Sequence, residues 1–195
     1  MLHCAAMNSL LSSLSDLEQA LRVLRAGGVI AYATEGVWGL GCDPLNQQAV
    51  RRLLDLKQRS EAKGLIMIAA TVDQLEPWLS GLDTTQREAV LLTWPGPYTW
   101  IVPVADAPVW LSGEHESLAL RVSAHAGVQQ LCLAWGAALV STSANRSGQP
   151  ALMSADAVRE EFGNELDFIL PGELGGDARP SEIRDAVSGI VLRAR

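Results

Sequence analysis

Apolar and polar residues alternate along the chain in two periods, one typical of amphipathic helices and one of short buried strands. Apolar residues recur at helical spacing after the capping-box pattern Ser15–Glu18 and stop before Gly27, which predicts a helix starting near Asp16. The short apolar run 29–33 that follows predicts a buried strand. The chain therefore opens with a helix followed by a strand.

The same alternation continues to the end of the chain. Further strands are predicted at 65–70, 98–104, 118–122, 138–141, 168–170 and 189–192. Further helices are predicted after the N-cap Asn46 to about residue 57, and at 71–79, 85–93, 127–135 and 154–162. The glycine-bearing segments 34–44 and 172–180 are predicted to be loops. This order predicts one α/β domain over 15–195, with a mixed sheet flanked by helices and an N-terminal extension over 1–14.

Composition and charge disfavour several classes of protein. The chain has 195 residues, ordinary apolar content and a formal net charge of −7, which disfavours disorder and a broad footprint for duplex nucleic acid. Three widely spaced cysteines lack the spacing of a zinc site and predict free thiols. Neither a signal peptide nor an apolar run long enough for a membrane span is apparent, so a cytoplasmic protein is expected.

Lysine occurs only at Lys57 and Lys63, and Arg59 lies between them. Three cations within seven residues suit a polyanion, because lysine supplies a point charge and arginine a planar fork. The other interpretation is a solvated helix end whose cations favour the negative end of the helix dipole. The spacing of these residues alone does not decide between the two interpretations.

The segment Ser141–Gly148 follows a predicted strand and contains four hydroxyls, an amide and small residues. Small side chains let backbone N–H groups approach an anion, although the same composition is typical of a polar surface turn. The chain contains neither a Walker A motif nor the Rossmann glycine pattern, which disfavours those two nucleotide folds.

Isolated polar residues add weaker signals. Arg121 ends an apolar strand, so it needs an anionic partner that is either a protein carboxylate or a substrate. Ser181 follows the glycine-rich loop, and Arg193 and Arg195 at the C-terminus are either phosphate ligands or solvated. His125 is expected to lie on the surface or behind a site. The scarcity of histidine and the absence of a G-x-S-x-G elbow disfavour a nucleophilic triad, which leaves catalysis by positioning and charge neutralisation.

Taken together, these segments resemble the YrdC/TsaC family. The matching motifs run in the family's order and are GVIAYATEGVWGLGCDP (28–44), KQR (57–59) with KGLI (63–66), WPGPYT (94–99), LALRV (118–122), STSANRSG (141–148) and PSEIRD (180–185). The resemblance covers the chain from about residue 15 and is to the short bacterial form. It implies a twisted α/β sheet with a concave, positively charged cleft.

The resemblance also implies an activity, that of threonylcarbamoyl-AMP synthases. These enzymes are nucleotidyltransferases that make threonylcarbamoyl-AMP and pyrophosphate from L-threonine, bicarbonate and ATP. A separate transferase complex then modifies the adenosine next to the anticodon of tRNAs that read ANN codons. The family's signature tetrad falls on Lys57, Arg59, Ser143 and Asn145.

Roles for further residues follow from the same resemblance. The expected ATP ligands are Lys57, Arg59, Lys63, Ser141, Ser143, Asn145, Arg193 and Arg195. The expected threonine ligands are Thr34, Arg121 and Ser181, with Glu35 shaping that end of the cleft. Mg²⁺ is expected on the ATP phosphates, and any tRNA contact is expected to be weak. Two other activities remain open at this point, an RNA-binding module and a carbamoyl transferase.

Overall fold

The computed structural model describes residues 2–177 and 179–195, with side chains from Leu14 onward. Helix α1 spans Leu2–Arg25, so the predicted start at Asp16 is wrong. Residues 2–14 contain no glycine or proline and many strong helix formers, and the helix therefore continues through the capping-box pattern. Met1 lies outside the described residues, and the domain boundary at residue 15 stays a prediction.

Most of the remaining elements were predicted, but the strands Trp38–Gly41 and Glu182–Asp185 and the helix Val109–Ser112 were not. The other helices are α2 Gln47–Lys57, α3 Thr84–Leu91, α4 Val109–Ser112, α5 Ala126–Trp135 and α6 Ala155–Phe162. The strands are β1 Ile30–Ala33, β2 Trp38–Gly41, β3 Ile66–Ala69, β4 Tyr98–Pro103, β5 Ser117–Val122, β6 Leu139–Ser143, β7 Phe168–Ile169, β8 Glu182–Asp185 and β9 Val191–Arg193. Short 3₁₀ turns lie at Glu61–Lys63, Val72–Gln74, Glu76–Trp78 and Gly163–Glu165.

The strands described form one mixed sheet in the order β7-β1-β2-β6-β3-β5-β4-β8-β9. Three neighbouring pairs are parallel, β1/β7, β3/β5 and β4/β8, and the others are antiparallel. A mixed sheet flanked by helices was the predicted fold class, and it is confirmed.

Two local predictions are wrong. The segment 34–44, predicted to be a loop, contains β2, where a Cβ on Gly41 would lie 2.5 Å from the carbonyl oxygen of Val140. Its glycines therefore allow strands to approach closely and do not mark a loop. The helix predicted over 71–79 is a pair of 3₁₀ turns, and the side chain of Thr71 makes no capping hydrogen bond.

Helices cover the two faces of the sheet unequally. Helices α2, α3 and α6 pack against one face and form the larger apolar core. On the other face α1 and α5 cover Ile30, Tyr32, Ile68 and Leu139. The rest of that second face is not covered by these two helices, and the candidate site lies there.

Two predictions from composition concern the membrane and the cysteines. No helix in residues 2–177 and 179–195 is long and apolar enough to cross a membrane. Cys42 and Cys132 are buried free thiols, and the side chain of Cys4 lies outside the described residues.

Candidate active site

A cavity of about 730 Å³ lies on the partly uncovered face of the sheet. Strand register explains how residues from distant parts of the chain meet there. Ser141 is paired with Ile66, and Ile68 is paired with Arg121. Because directly paired residues point to the same face, these side chains share one wall, and Arg193 joins it from the edge strand β9. The volume is in the range typical of small-molecule sites.

Nine of the predicted site residues line this cavity. They are Thr34, Arg59, Lys63, Arg121, Ser141, Ser143, Asn145, Ser181 and Arg193. Lys57 and Arg195 are absent from its wall. Among the described residues that line it, five are lysine or arginine and none is aspartate or glutamate, so the wall favours an anionic ligand.

Lys57 is buried behind the cavity, with 2% of its surface exposed. Its Nζ donates to the carbonyl oxygens of Ser143 and of Asn145, the latter at 2.9 Å, and to Asn145 Oδ1 at 3.0 Å. Burial, together with the nearby charge of Arg59, lowers the pKa of Lys57 to about 8. The lysine predicted to bind ATP thus contacts the protein backbone.

The residues 143–149, which we name the polar turn, hold their shape through internal contacts. Ser143 Oγ donates to Asn145 Oδ1 at 2.7 Å, and Asn145 Nδ2 donates to the carbonyl oxygen of Gln149 at 2.6 Å. The backbone N–H of Ser147 donates to the carbonyl oxygen of Lys57 at 2.7 Å. The hydroxyl and amide groups at the cavity are therefore ordered before any ligand binds.

Arg59 lies in the cavity because α2 ends two residues earlier, at Lys57. Gln58 adopts a left-handed conformation with φ of 51°, and the chain turns there. Arg59 Nη2 donates to the carbonyl oxygen of Gly64 at 3.0 Å, and its Nε is buried without a partner among the described residues. Burial lowers the pKa of Arg59. Lys63, in the following 3₁₀ turn, is exposed.

Arg121 pairs with a protein carboxylate, one of the two alternatives that the sequence left open. Its Nη2 lies 2.7 Å from Glu35 Oε1, and its Nε donates to the carbonyl oxygen of Gly96 at 3.1 Å. The same Glu35 oxygen accepts from Ser123 Oγ at 2.7 Å and from the N–H of Ala124 at 3.1 Å. Burial lowers the pKa of Arg121, and the charge of Glu35 opposes that shift. The guanidinium keeps further N–H groups for a ligand.

The C-terminal residues close one end of the cavity. Ser181 Oγ lies 2.8 Å from Thr99 Oγ1, and Arg193 Nη2 donates to the carbonyl oxygen of Ser181 at 2.7 Å. Arg195 forms an ion pair with Asp177 and does not reach the cavity wall. The predicted contact of Arg195 with ATP stays a prediction.

Thr34 is buried in the cavity wall, and its Oγ1 donates to the carbonyl oxygen of Val37 at 2.7 Å. His125, expected behind a site, caps α5: its Nδ1 accepts from the N–H of Val128 at 3.3 Å, and its Nε2 lies 2.9 Å from the carbonyl oxygen of Glu173. Sequence reasoning missed the lining residues His115, Gln149 and Arg179. Gln149 directly follows the motif STSANRSG and Arg179 directly precedes PSEIRD, whereas His115 lies in a turn that carries no matched motif.

Residues 22–194 match the Sua5/YciO/YrdC family, whose description is telomere recombination. A protein of Chromohalobacter salexigens named threonylcarbamoyl-AMP synthase is 57% identical over 178 residues, which are 91% of this chain and 96% of that protein. A protein of the same name from Xanthomonas euvesicatoria is 51% identical over 181 residues, 91% of this chain and 97% of that one.

Solved structures agree in fold. The structure of a H234A/Y235A variant of P. abyssi Sua5 has a TM-score of 0.82 at 29% identity and covers 92% of this chain. P. abyssi Sua5 complexed with L-threonine has a TM-score of 0.79 at 30% identity over 87% of this chain. This chain spans 55% and 50% of those two chains, respectively. E. coli YciO, at 24% identity and a TM-score of 0.79, shares the fold.

Proposed function

The chain belongs to the Sua5/YciO/YrdC family, and we propose that it is a threonylcarbamoyl-AMP synthase, a nucleotidyltransferase that uses L-threonine, bicarbonate and ATP. The observation that carries the proposal is 57% identity to a protein of that name across almost the whole of both chains. A cavity with cationic and hydroxyl groups, on a fold that resembles a threonine-bound Sua5, supports it. The product would serve a separate transferase complex that modifies tRNA.

The reaction would join two anions in two steps. The threonine amine would bond to the bicarbonate carbon with loss of water, which gives an N-carboxylate. An oxygen of that carboxylate would then bond to the α-phosphorus of ATP, and the bond to the bridging oxygen would break with release of pyrophosphate. No protein nucleophile is required, so the residues would act by positioning and by charge neutralisation.

The charge and the hydrogen-bonding groups of each cavity residue would set its role in this reaction. Arg59 and Lys63 would bind the phosphates, because both are cationic and line the cavity. Asn145 would donate its second Nδ2 hydrogen to the phosphate or to the carboxylated amine, and Ser143, whose hydroxyl proton is donated to Asn145 Oδ1, would hold that amide in place and present its oxygen as an acceptor. Arg121 would bind the threonine carboxylate through the N–H groups that Glu35 and Gly96 leave available.

Ser181 and Arg193 would contact threonine or nucleotide from the C-terminal end of the cavity. Mg²⁺ would enter with ATP and reduce the repulsion between the phosphates and the attacking carboxylate. The cavity wall offers hydroxyl and amide oxygens and, among the described residues, no carboxylate. Phosphate oxygens and water would therefore supply most of the ion's ligands, an arrangement that Mg²⁺ accepts readily.

A pyrophosphate-release assay with each substrate omitted in turn tests the proposal. We expect release only when L-threonine, bicarbonate and ATP are all present. A parallel reaction with carbamoyl phosphate in place of threonine and bicarbonate tests carbamoyl transfer. Pyrophosphate release that requires carbamoyl phosphate, or that is independent of threonine, would contradict the proposal.

A further inference from the structure

The ammonium of Lys57 uses all of its hydrogen-bonding capacity on the polar turn. It contacts three acceptors, the two backbone carbonyl oxygens of Ser143 and Asn145 and the side-chain oxygen of Asn145. A lysine ammonium has three N–H donors and no acceptor. With three acceptors already in contact, no donor remains for a phosphate.

The polar turn lies between Lys57 and the cavity. Ser143 and Asn145 contact Lys57 and also line the cavity, whereas Lys57 is buried and does not line it. Arg59 and Lys63, the neighbouring cations, do line it. The cations that looked like one cluster in the sequence are therefore divided between the two sides of the turn.

The contacts between helix α2 and the polar turn run in both directions. The N–H of Ser147 donates to the carbonyl oxygen of Lys57 at 2.7 Å, and Arg146 Nη1 donates to the carbonyl oxygen of Leu56. Carbonyl groups in the last turn of a helix lack partners within the helix, and here the polar turn supplies them. The end of α2 and the polar turn consequently form one hydrogen-bonded unit.

Asn145 is the residue through which this unit reaches the cavity. Its Oδ1 accepts from both Lys57 Nζ and Ser143 Oγ, and its Nδ2 donates to the carbonyl oxygen of Gln149. Two donors on one oxygen fix which way the amide faces. Removal of the ammonium leaves the carbonyl oxygens of Ser143 and Asn145 without this donor and leaves Asn145 Oδ1 with Ser143 Oγ alone, so the turn is held less firmly.

We propose that Lys57 is a positioning residue, whose ammonium fixes the polar turn from the side opposite the cavity and does not bind substrate phosphate. The proposal rests on the proposed function for its consequence in catalysis. It predicts that loss of Lys57 acts through Ser143 and Asn145.

The two lysines of the chain permit a test in the wild-type protein. With ¹⁵N-labelled lysine, the ammonium spectrum contains only Lys57 and Lys63, and the Lys63→Met variant assigns them. We expect that Mg²⁺–ATP shifts the Lys63 signal more than the Lys57 signal, and that adenosine shifts neither. The proposal would be overturned if Mg²⁺–ATP shifted the Lys57 signal more than the Lys63 signal.

A double-mutant cycle tests the route of action. Lys57→Met should lower kcat/KM for pyrophosphate release by about 10- to 100-fold in the wild-type background. In an Asn145→Ala background the same change should have a smaller effect, because the side-chain acceptor of Lys57 is gone and only its contacts with the carbonyl oxygens of residues 143 and 145 remain. Losses that multiply would show that Lys57 acts independently of Asn145 and would contradict the proposal.

Amide hydrogen exchange tests the proposal without a measurement of activity. Lys57→Met should speed exchange in the polar turn by about tenfold or more, and Lys63→Met should leave it unchanged. Unchanged protection in Lys57→Met would overturn the positioning role. If the wild-type protein binds no ATP and releases no pyrophosphate, the proposed function fails, and the exchange result still decides whether Lys57 orders the turn. If Lys57→Met does not fold, the wild-type lysine spectrum decides.

Discussion

The carboxylate of Glu35 lies 2.7 Å from Nη2 of Arg121, and both side chains are largely buried. The same Glu35 oxygen accepts from Ser123 and Ala124 in the turn that leads into α5. Glu35 therefore links the first strands of the sheet to the strand and turn that carry Arg121. One carboxylate thus fixes the guanidinium that we expect to bind threonine.

Replacement of that carboxylate should destabilise the fold. Glu35→Gln keeps the shape of the side chain but leaves Arg121 without its counter-charge, and we expect a loss of about 3 kcal/mol in the free energy of unfolding. Urea denaturation measures it. Asp156→Asn is the matched control, because Asp156 forms an exposed pair with Arg159 and should change stability by less than about 1 kcal/mol. Equal losses in both variants would mean that the Glu35–Arg121 pair has no special role.

Removal of the guanidinium should affect one substrate more than the other. Arg121→Ala is expected to raise the KM for threonine by about tenfold or more, because a charge-assisted contact to its carboxylate is lost. The KM for ATP should change much less, and steady-state pyrophosphate release measures both. Equal changes in the two KM values would place threonine elsewhere in the cavity.

Gly36 lies against the backbone of Asp177 and Arg179, in the segment that precedes β8. A Cβ at this position would lie 2.4 Å from the carbonyl oxygen of Arg179 and 2.5 Å from that of Asp177. Gly36→Ala should therefore displace this segment and lower the free energy of unfolding by about 1–3 kcal/mol. Gly172→Ala is the control, since its Cβ would meet only Ala33 at 3.6 Å. Thermal unfolding with limited proteolysis compares them, and equal stability of both variants would contradict the close approach.

The lowered pKa of Lys57 predicts a dependence of stability on pH. Its pKa is about 8 in the folded protein and 10.5 ordinarily, so between these values the unfolded chain binds more protons. Stability should rise with pH across this window, by about 3 kcal/mol at most, and should be constant with respect to this group below pH 8. The difference between the wild type and Lys57→Met, measured by urea denaturation from pH 7.5 to about 10.5, isolates the contribution. No difference across the window would contradict the shift.

Much of the fold was predictable because local signals agreed with the tertiary structure. Asn46 caps α2 as predicted, and its side chain accepts from the N–H groups of Gln48 and Ala49. Short apolar runs identified most strands to within one or two residues. The strand β2 was missed because its glycines, which permit close packing, resemble those of a loop.

The arrangement of the site was less predictable, because single side chains decide it. Spacing placed Lys57 beside Arg59, but the left-handed Gln58 between them puts one behind the polar turn and the other in the cavity. The partner of Arg121 is distant in sequence, and only the pairing of strands brings Glu35 to it. Residue types thus indicate which groups meet, while the geometry of turns decides which of them face the ligand.

The identity of the product tests the central claim most directly. The wild-type protein is incubated with ATP, L-threonine and ¹³C-bicarbonate, and the nucleotide products are analysed by mass spectrometry. We predict one product that contains AMP, threonine and the ¹³C carbon, formed in equal amount with pyrophosphate. Nucleotide products that carry neither threonine nor the labelled carbon would contradict the account.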